Sequence, residues 1–367
     1  MRVNVQLISF KEDNINIDGL EDLGLYSISS YLDSKGIHSD VLFTRGNSTD
    51  IVPIIAYHPD LVILSVYNIY PCVRDKFDDI SGIRNLVDLL KTHIPGVSIA
   101  VAGFPVTYYW NEIMSSIPGI DYVMLGECEE TAYELAVMEN VQGVKGIVYR
   151  NEADQLIKTE RRAFISNMDL LPFPKRSYLD DAKISVVAIA SSRGCKRACN
   201  FCSCPDFWGK WRCRSVNSVI NEIQNIYDEY AIRKFNFIDE SFEDGGISRW
   251  VELANELLSR NIKISYFIQM RSESYELISD EQLHILVESG LCGISIGVET
   301  FNESDRMIYG KYASIQQNIE CIGLNSISLN FKGQDTDRGL LRKSSRKNFY
   351  KSRSLLLKRN SVSNKWS

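Results

Sequence analysis

The chain has 367 residues, 44% of them hydrophobic and 24% charged, with a formal net charge of −6. This length suits two domains of ordinary size, and the composition supports a sizeable core, which excludes a disordered or low-complexity chain. No apolar run reaches the roughly 18 residues of a membrane helix, and the start MRVNVQLISF reads as a strand rather than a signal peptide. A cytoplasmic protein without membrane association is therefore expected.

Apolar runs at 3–9, 61–66, 97–102 and 120–125, with a weaker one at 40–43, read as buried parallel strands. Helical patterns fall near 20–35, 80–92 and 129–138. Together they predict a doubly wound, Rossmann or flavodoxin-like α/β domain over 1–143. Such sheets bind ligands at strand C-termini, marked here by Ser65, Gly103 and Gly126. Residues 144–183 read as a hairpin with its turn at 151–154, then a proline-bearing linker, LLPFPKRSYL. Strands at 184–190, 234–239, 263–269 and 293–298 then alternate with helices near 215–230, 246–260, 279–289 and 314–322. These four βα units predict a partial (β/α) barrel over 184–322, with its site at the strand C-termini.

A short, weak fifth strand is predicted at 326–330, and 323–367 as a whole reads as a basic, disordered tail. Residues 332–367 hold eleven Lys or Arg against two Asp, a formal +9, which leaves −15 for the rest of a chain whose total is −6. Arg342, Lys343, Arg346, Lys347, Lys351 and Arg353 flank Phe349 and Tyr350, a pattern able to bind nucleic-acid phosphates. A solvated chain end is the simpler expectation, and nucleic acid is not an expected partner. The joint loss of periodicity and reversal of charge predicts a truncated or frameshifted coding sequence.

Nine cysteines stand at 72, 128, 195, 199, 202, 204, 213, 292 and 321, five of them between 195 and 213. In a reducing compartment this clustering favours metal ligation over disulfides. Cys195-x3-Cys199-x2-Cys202 directly follows the first strand of the second series. Three thiolates so placed can each hold one iron of a cubane cluster. The fourth iron is then open to a small molecule bearing an amine and a carboxylate. A zinc site with Cys204 or Cys213 as fourth ligand is the alternative, but structural zinc sites usually show two C-x2-C pairs and one half is evident here.

With Phe201 as the aromatic in C-x3-C-x-aromatic-C, residues 184–322 resemble the radical S-adenosylmethionine (SAM) superfamily. The resemblance implies a [4Fe-4S] cluster on Cys195, Cys199 and Cys202, with SAM bound at its open iron and cleaved to methionine and a 5′-deoxyadenosyl radical. It also implies SAM contacts from Phe201, from Asp239, Glu240 and Ser241 after the second strand, from Arg271 after the third, and from Glu299 in GVET. An external reductant such as flavodoxin or ferredoxin is implied, with an unidentified small-molecule or peptide substrate. Family barrels have about six strands, and four are identified here.

The domain order, with the LPFP linker, resembles the cobalamin (B12)-binding subclass on PDLVILSVY (59–67), the Gly103 turn and DYVMLGECEET (121–131). Cobalamin is implied near Ser65, Gly103, Gly126 and Glu127, and methyl transfer to an unreactive carbon is the leading reaction. None of the four histidines sits in an Asp-x-His-x-x-Gly motif, and the usual Gly-Glu-Gly-Glu turn reads Gly126-Glu127-Cys128-Glu129. A Cβ at Cys128 is expected to crowd the ligand or disfavour a positive φ. The alternatives are a cobalamin-independent radical SAM enzyme and a truncated, non-catalytic iron–sulfur remnant.

Overall fold

The apolar runs of the N-terminal half become strands because helices cover both faces of the sheet they form. The structure, a computed structural model, describes residues 3–10, 22–44, 51–66, 80–180 and 184–328. Strands β1 (Val5–Phe10), β2 (Ser39–Thr44), β3 (Leu61–Ser65), β4 (Ser98–Ala102) and β5 (Tyr122–Met124) run parallel in the order β2-β1-β3-β4-β5. The helices are α1 (Leu23–Ser34), α2 (Val52–Tyr57), α3 (Ser81–His93), α4 (Phe104–Tyr108), α5 (Trp110–Ser116) and α6 (Glu129–Val137). Ile8, Leu64, Val101 and Val123 pack in one core with Ile54, Leu86 and Ile113 of α2, α3 and α5. Their strand neighbours Leu7, Ile63, Ala100 and Met124 pack in another with Leu25 of α1 and Ala132 of α6. Each fully buried Leu, Ile or Val contributes about 1.5–3 kcal/mol.

The predicted hairpin is present as β6 (Ile147–Arg150) and β7 (Leu156–Lys158). It adds two antiparallel strands to β5 and so continues the first sheet.

The second half begins with β8 (Val186–Ile189), β9 (Ser192–Arg193), α7 (Cys204–Trp208), β10 (Arg212–Cys213) and α8 (Val216–Tyr230). It continues with β11 (Lys234–Phe237), α9 (Ile247–Ser259), β12 (Ser265–Arg271), α10 (Asp280–Glu288), β13 (Leu291–Gly297), α11 (Glu303–Tyr309) and α12 (Ile315–Ser328). Four strands pair in parallel in the order β13-β12-β11-β8. Helices cover one face. Along β12, Tyr266, Ile268 and Met270 are buried in the helix-facing core, while Phe267 is 50% exposed on the other face. That face forms an open groove of about 370 Å³ lined by Val186, Asn236, Phe267, Gln269 and Ser295.

Of the fifth strand predicted at 326–330, residues 329–330 lie outside the described residues, and 326–328 instead complete α12. Ser314 and Gln317 cap each other reciprocally at its start, and a nucleated helix extends through β-branched residues when its pattern stays in phase. The remaining predicted tail, with its basic residues and aromatics, lies outside the described residues. Among the described residues no helix is long and apolar enough to cross a membrane.

The connecting segment is fastened at both ends by adjacent side chains. Lys175 donates to Ser39 O (2.7 Å) and pairs with Asp33 in the N-terminal domain. Arg176 donates to Ala188 O of β8 (2.9 Å) and to Glu222 (2.6 Å), which also pairs with Arg214. Glu222 is 1% exposed. Burial works against its charge, but Arg214 and Arg176 outweigh this and hold its carboxyl below the usual 4.5. A depressed carboxyl pKa contributes stability that is present above the unfolded value and is lost as pH falls through the folded one. Acid unfolding should therefore steepen below pH 4.5. Glu222→Gln, which strands two buried guanidiniums, should lose about 3–5 kcal/mol in urea unfolding at pH 7 and flatten that acid limb. A loss under about 1 kcal/mol would contradict the staple.

Candidate active site

The cysteine loop leaves the C-terminal end of β8 and is closed at its base by the antiparallel pair β9–β10. Its opening turn needs Gly194: φ is +89°, and a Cβ there would lie 3.2 Å from Lys210 O. Cys195 and Cys199 are half-buried, Cys202 is exposed, and all eight described cysteines are free. Cys195 Sγ accepts from Arg197 N and Arg271 Nη1, both at 3.4 Å. Cys202 Sγ accepts from Cys204 N at 3.4 Å, and Cys202 N donates to Cys199 O at 3.0 Å. Burial pushes the Cys195 and Cys199 thiols up. A hydrogen bond with the Cys204 thiol pushes Cys202 down to about 6, and the same contact pushes Cys204 up.

Among the described residues no three His, Cys, Asp or Glu side chains are drawn together as a finished ligand set, for zinc or for iron. The donor chemistry nonetheless fits an iron–sulfur cluster. Three free thiols share one loop, and two of their sulfurs accept N–H bonds of the kind that tune cluster thiolates.

The strand-end residues divide into two groups. Asp239 is fully buried; its carboxylate accepts from Ser191 N (3.1 Å), Ser191 Oγ (2.8 Å) and Ser192 Oγ. It therefore holds the base of the cysteine loop. Ser241 and Arg271 are likewise occupied. Arg271 donates to Ser241 Oγ (2.5 Å) and pairs with Asp244 (2.8 Å), Glu273 (3.0 Å) and Glu243 (3.3 Å). Four protein groups thus surround the guanidinium that was expected to meet the SAM carboxylate.

Glu240, Glu299 and Phe201 keep reach into the site. Glu240 accepts from Gly194 N at 3.2 Å, and burial, with Asp239 beside it, raises its carboxyl to about 7. Glu299 stands in the left-handed region at φ +57°, a strained position for a non-glycine residue, and pairs with Lys311. Phe201 is 53% exposed and meets the Tyr309 ring edge-on. Lys311, 40 positions from the third strand's end, carried no signal in the sequence; it reaches Glu299 and also donates to Gly297 O at 3.3 Å.

In the N-terminal domain the strand order reverses between β1 and β3, where Ser9 and Ser65 are register partners. Open α/β sheets take ligands at this switch point. Ser65 is buried there, and Gly103 and Gly126 follow β4 and β5 with φ of +125° and +72°. Cys128 has φ −113°, and its thiol donates to Gly126 O at 3.0 Å from within the α1–α6 core. It neither strains the backbone nor crowds that face, contrary to expectation.

Glu127 is engaged by protein partners. It is 6% exposed and accepts from Arg193 (3.0 Å), Arg212 (2.9 Å) and Ile165 N (2.9 Å). Its two arginine partners belong to the strands that close the cysteine loop. Beside this contact α7 docks on α4: Phe104 and Phe207 stack at 3.8 Å, and Tyr108 donates to Ser203 O at 2.5 Å. A Cβ on Gly126 would make only ordinary contact, 3.6 Å from Phe207 O, so its φ of +72° rather than crowding by α7 favours glycine there. The cysteine loop therefore stands against the strand C-termini of the first sheet.

A family model of the radical SAM superfamily matches residues 189–325, and one of the B12 binding domain matches residues 19–136. An anaerobic magnesium-protoporphyrin IX monomethyl ester cyclase of Synechocystis is 29% identical over 59% of this chain and 44% of its own. An uncharacterized methyltransferase of Pyrococcus horikoshii is 28% identical over 78% of this chain and 61% of its own. The structure of OxsB, a cobalamin-dependent SAM radical enzyme with aqua-cobalamin and SAM bound, superposes with a TM-score of 0.73 at 21% identity. It is matched over 89% of this chain and 48% of its own, a likeness of fold. The chain thus spans about half the length of the relatives it matches. On these matches and the two sheets that bear them, the chain carries a B12-binding domain followed by a radical SAM domain.

Proposed function

We propose that Cys195, Cys199 and Cys202 hold a [4Fe-4S] cluster, that SAM binds beside it, and that cobalamin binds at the switch point of the first sheet, for methyl transfer to an unreactive carbon. When bound, the reduced cluster supplies the electron that cleaves SAM to methionine and a 5′-deoxyadenosyl radical, and cobalamin supplies the methyl group. The observation that carries this reading is the docking of α7 on α4, which sets the cysteine loop against the ligand-binding edge of the N-terminal sheet.

The chain's own residues divide the work. Asp239 and Arg271 position the loop through Ser191, Ser192 and Cys195. Glu240 and Glu299 offer carboxylates to the SAM ammonium and ribose, and Phe201 offers a ring face or edge to the nucleoside. Ser65, Gly103 and Gly126 line the corrin side. Apolar α7 residues shield the space between the two faces from water. Radical SAM chemistry needs an external electron donor, for which a flavodoxin or ferredoxin is proposed. Free thiols throughout the described chain suit a reducing cytoplasm.

Anaerobic reconstitution should give a brown protein with about four irons per chain, retained corrin absorbance, and 5′-deoxyadenosine release from SAM under dithionite. Cys199→Ala should lose the intact cluster and SAM cleavage; cleavage retained by this variant would refute the ligand assignment. The two adjacent carboxylates should separate. Asp239→Asn should cost about 2 kcal/mol in urea unfolding because it breaks a buried hydrogen-bonded cluster. Glu240→Gln should leave stability within about 0.5 kcal/mol and weaken SAM binding by calorimetry. The opposite pattern would exchange their roles.

A further inference from the structure

We propose that Glu127 is a positioning residue that makes closure of the cysteine loop depend on the ligand-bearing turn of the N-terminal domain. This rests on the cofactor assignments proposed above. Arg193 and Arg212 are direct partners across the β9–β10 ladder. Like charges placed opposite each other on a two-stranded ladder destabilise it. Arg193 lies two residues before Cys195, so this ladder is the base of the loop.

Both guanidiniums turn to one carboxylate from the other domain. Glu127 Oε1 meets Arg193 Nη1 at 3.0 Å and Arg212 Nη1 at 2.9 Å, and Glu129 takes Arg193 Nη2 at 2.5 Å. The Glu127, Glu129, Arg193 and Arg212 side chains are 3%, 4%, 11% and 12% exposed, so water screens little of this charge. Arg193 also lies 5.0 Å over Trp208, and Arg212 donates to Trp208 O at 2.7 Å, which ties the pair to α7. Removing one carboxylate would leave two facing buried cations without their shared counter-ion.

The carboxylate sits next to Gly126, at the C-terminal end of β5. A ligand that orders the 126–129 turn therefore orders the ladder and the three cysteines it carries. Cobalamin binding and cluster retention become linked without direct contact between the cofactors.

The test uses the full chain, reconstituted anaerobically, with iron release to a chelator and the spectrum of the reduced cluster followed with and without aquacobalamin. In the wild type, added corrin should slow iron release. Glu127→Gln should release iron at least about tenfold faster, lose the slowing by corrin, and show an altered cluster spectrum. The double variant Glu127→Gln with Arg212→Gln, which removes one opposed cation, should recover most of the retention. Glu130→Gln, at an exposed carboxylate whose partner Arg162 keeps its pairing with Glu134, should match the wild type. If Glu127→Gln does not fold, the double variant decides: recovered retention supports the coupling and unrecovered retention overturns it. Wild-type protein holding iron and corrin beside an unaffected Glu127→Gln overturns the coupling alone. Wild-type protein holding neither overturns the functional reading and the coupling with it.

Discussion

One carboxylate, Glu127, lies between two arginines that the β9–β10 ladder forces to face each other. The join between the domains is organised round this contact. On one side is the turn after β5, and on the other the strands that close the cysteine loop. Next to it the Phe104–Phe207 stack supplies apolar contact without demanding charge balance. At the opposite end of the interface, Lys175 and Arg176 grip one domain each. Two separated attachments fix an orientation that one flexible linker could not.

Charge is handled throughout the site by local compensation. Arg271 is surrounded by Asp244, Glu273 and Glu243, and Asp239 is saturated by serine donors. Groups so spent cannot also meet a ligand without giving up buried partners. The residues with spare capacity are Glu240, Glu299 and Phe201, of which Glu299 keeps a strained backbone. Strain of this kind persists only where surrounding contacts enforce it, and here Lys311 holds the side chain in place. The geometry thus separates residues that build the loop from residues that face the space beside it.

Much of the fold was legible in the sequence because buried parallel strands print as continuous apolar runs. The run at 61–66 became Leu61–Ser65, and that at 97–102 became Ser98–Ala102. Short elements were not legible: α4 and α7 have five residues each, too few to display a helical period. The short strand expected at 326–330 gave way because the capped helix preceding it continues through 326–328. The cysteine spacing identified the candidate cluster loop, but not what holds it. Glu127 and Arg212 are 85 positions apart, and no local pattern connects them. The contacts of Asp239 were not legible for a related reason, since its partners Ser191 and Ser192 approach it only through β8–β11 pairing.

The central claim is that the cysteine loop and the switch point of the first sheet hold two redox-active groups face to face across α7. It is tested most directly by electron paramagnetic resonance of protein loaded with cobalamin and reduced so that both the cluster and the cobalt are paramagnetic. The account predicts mutual spin coupling, seen as splitting or enhanced relaxation of the cobalt signal when the cluster is reduced. Two superimposed spectra without interaction would contradict it.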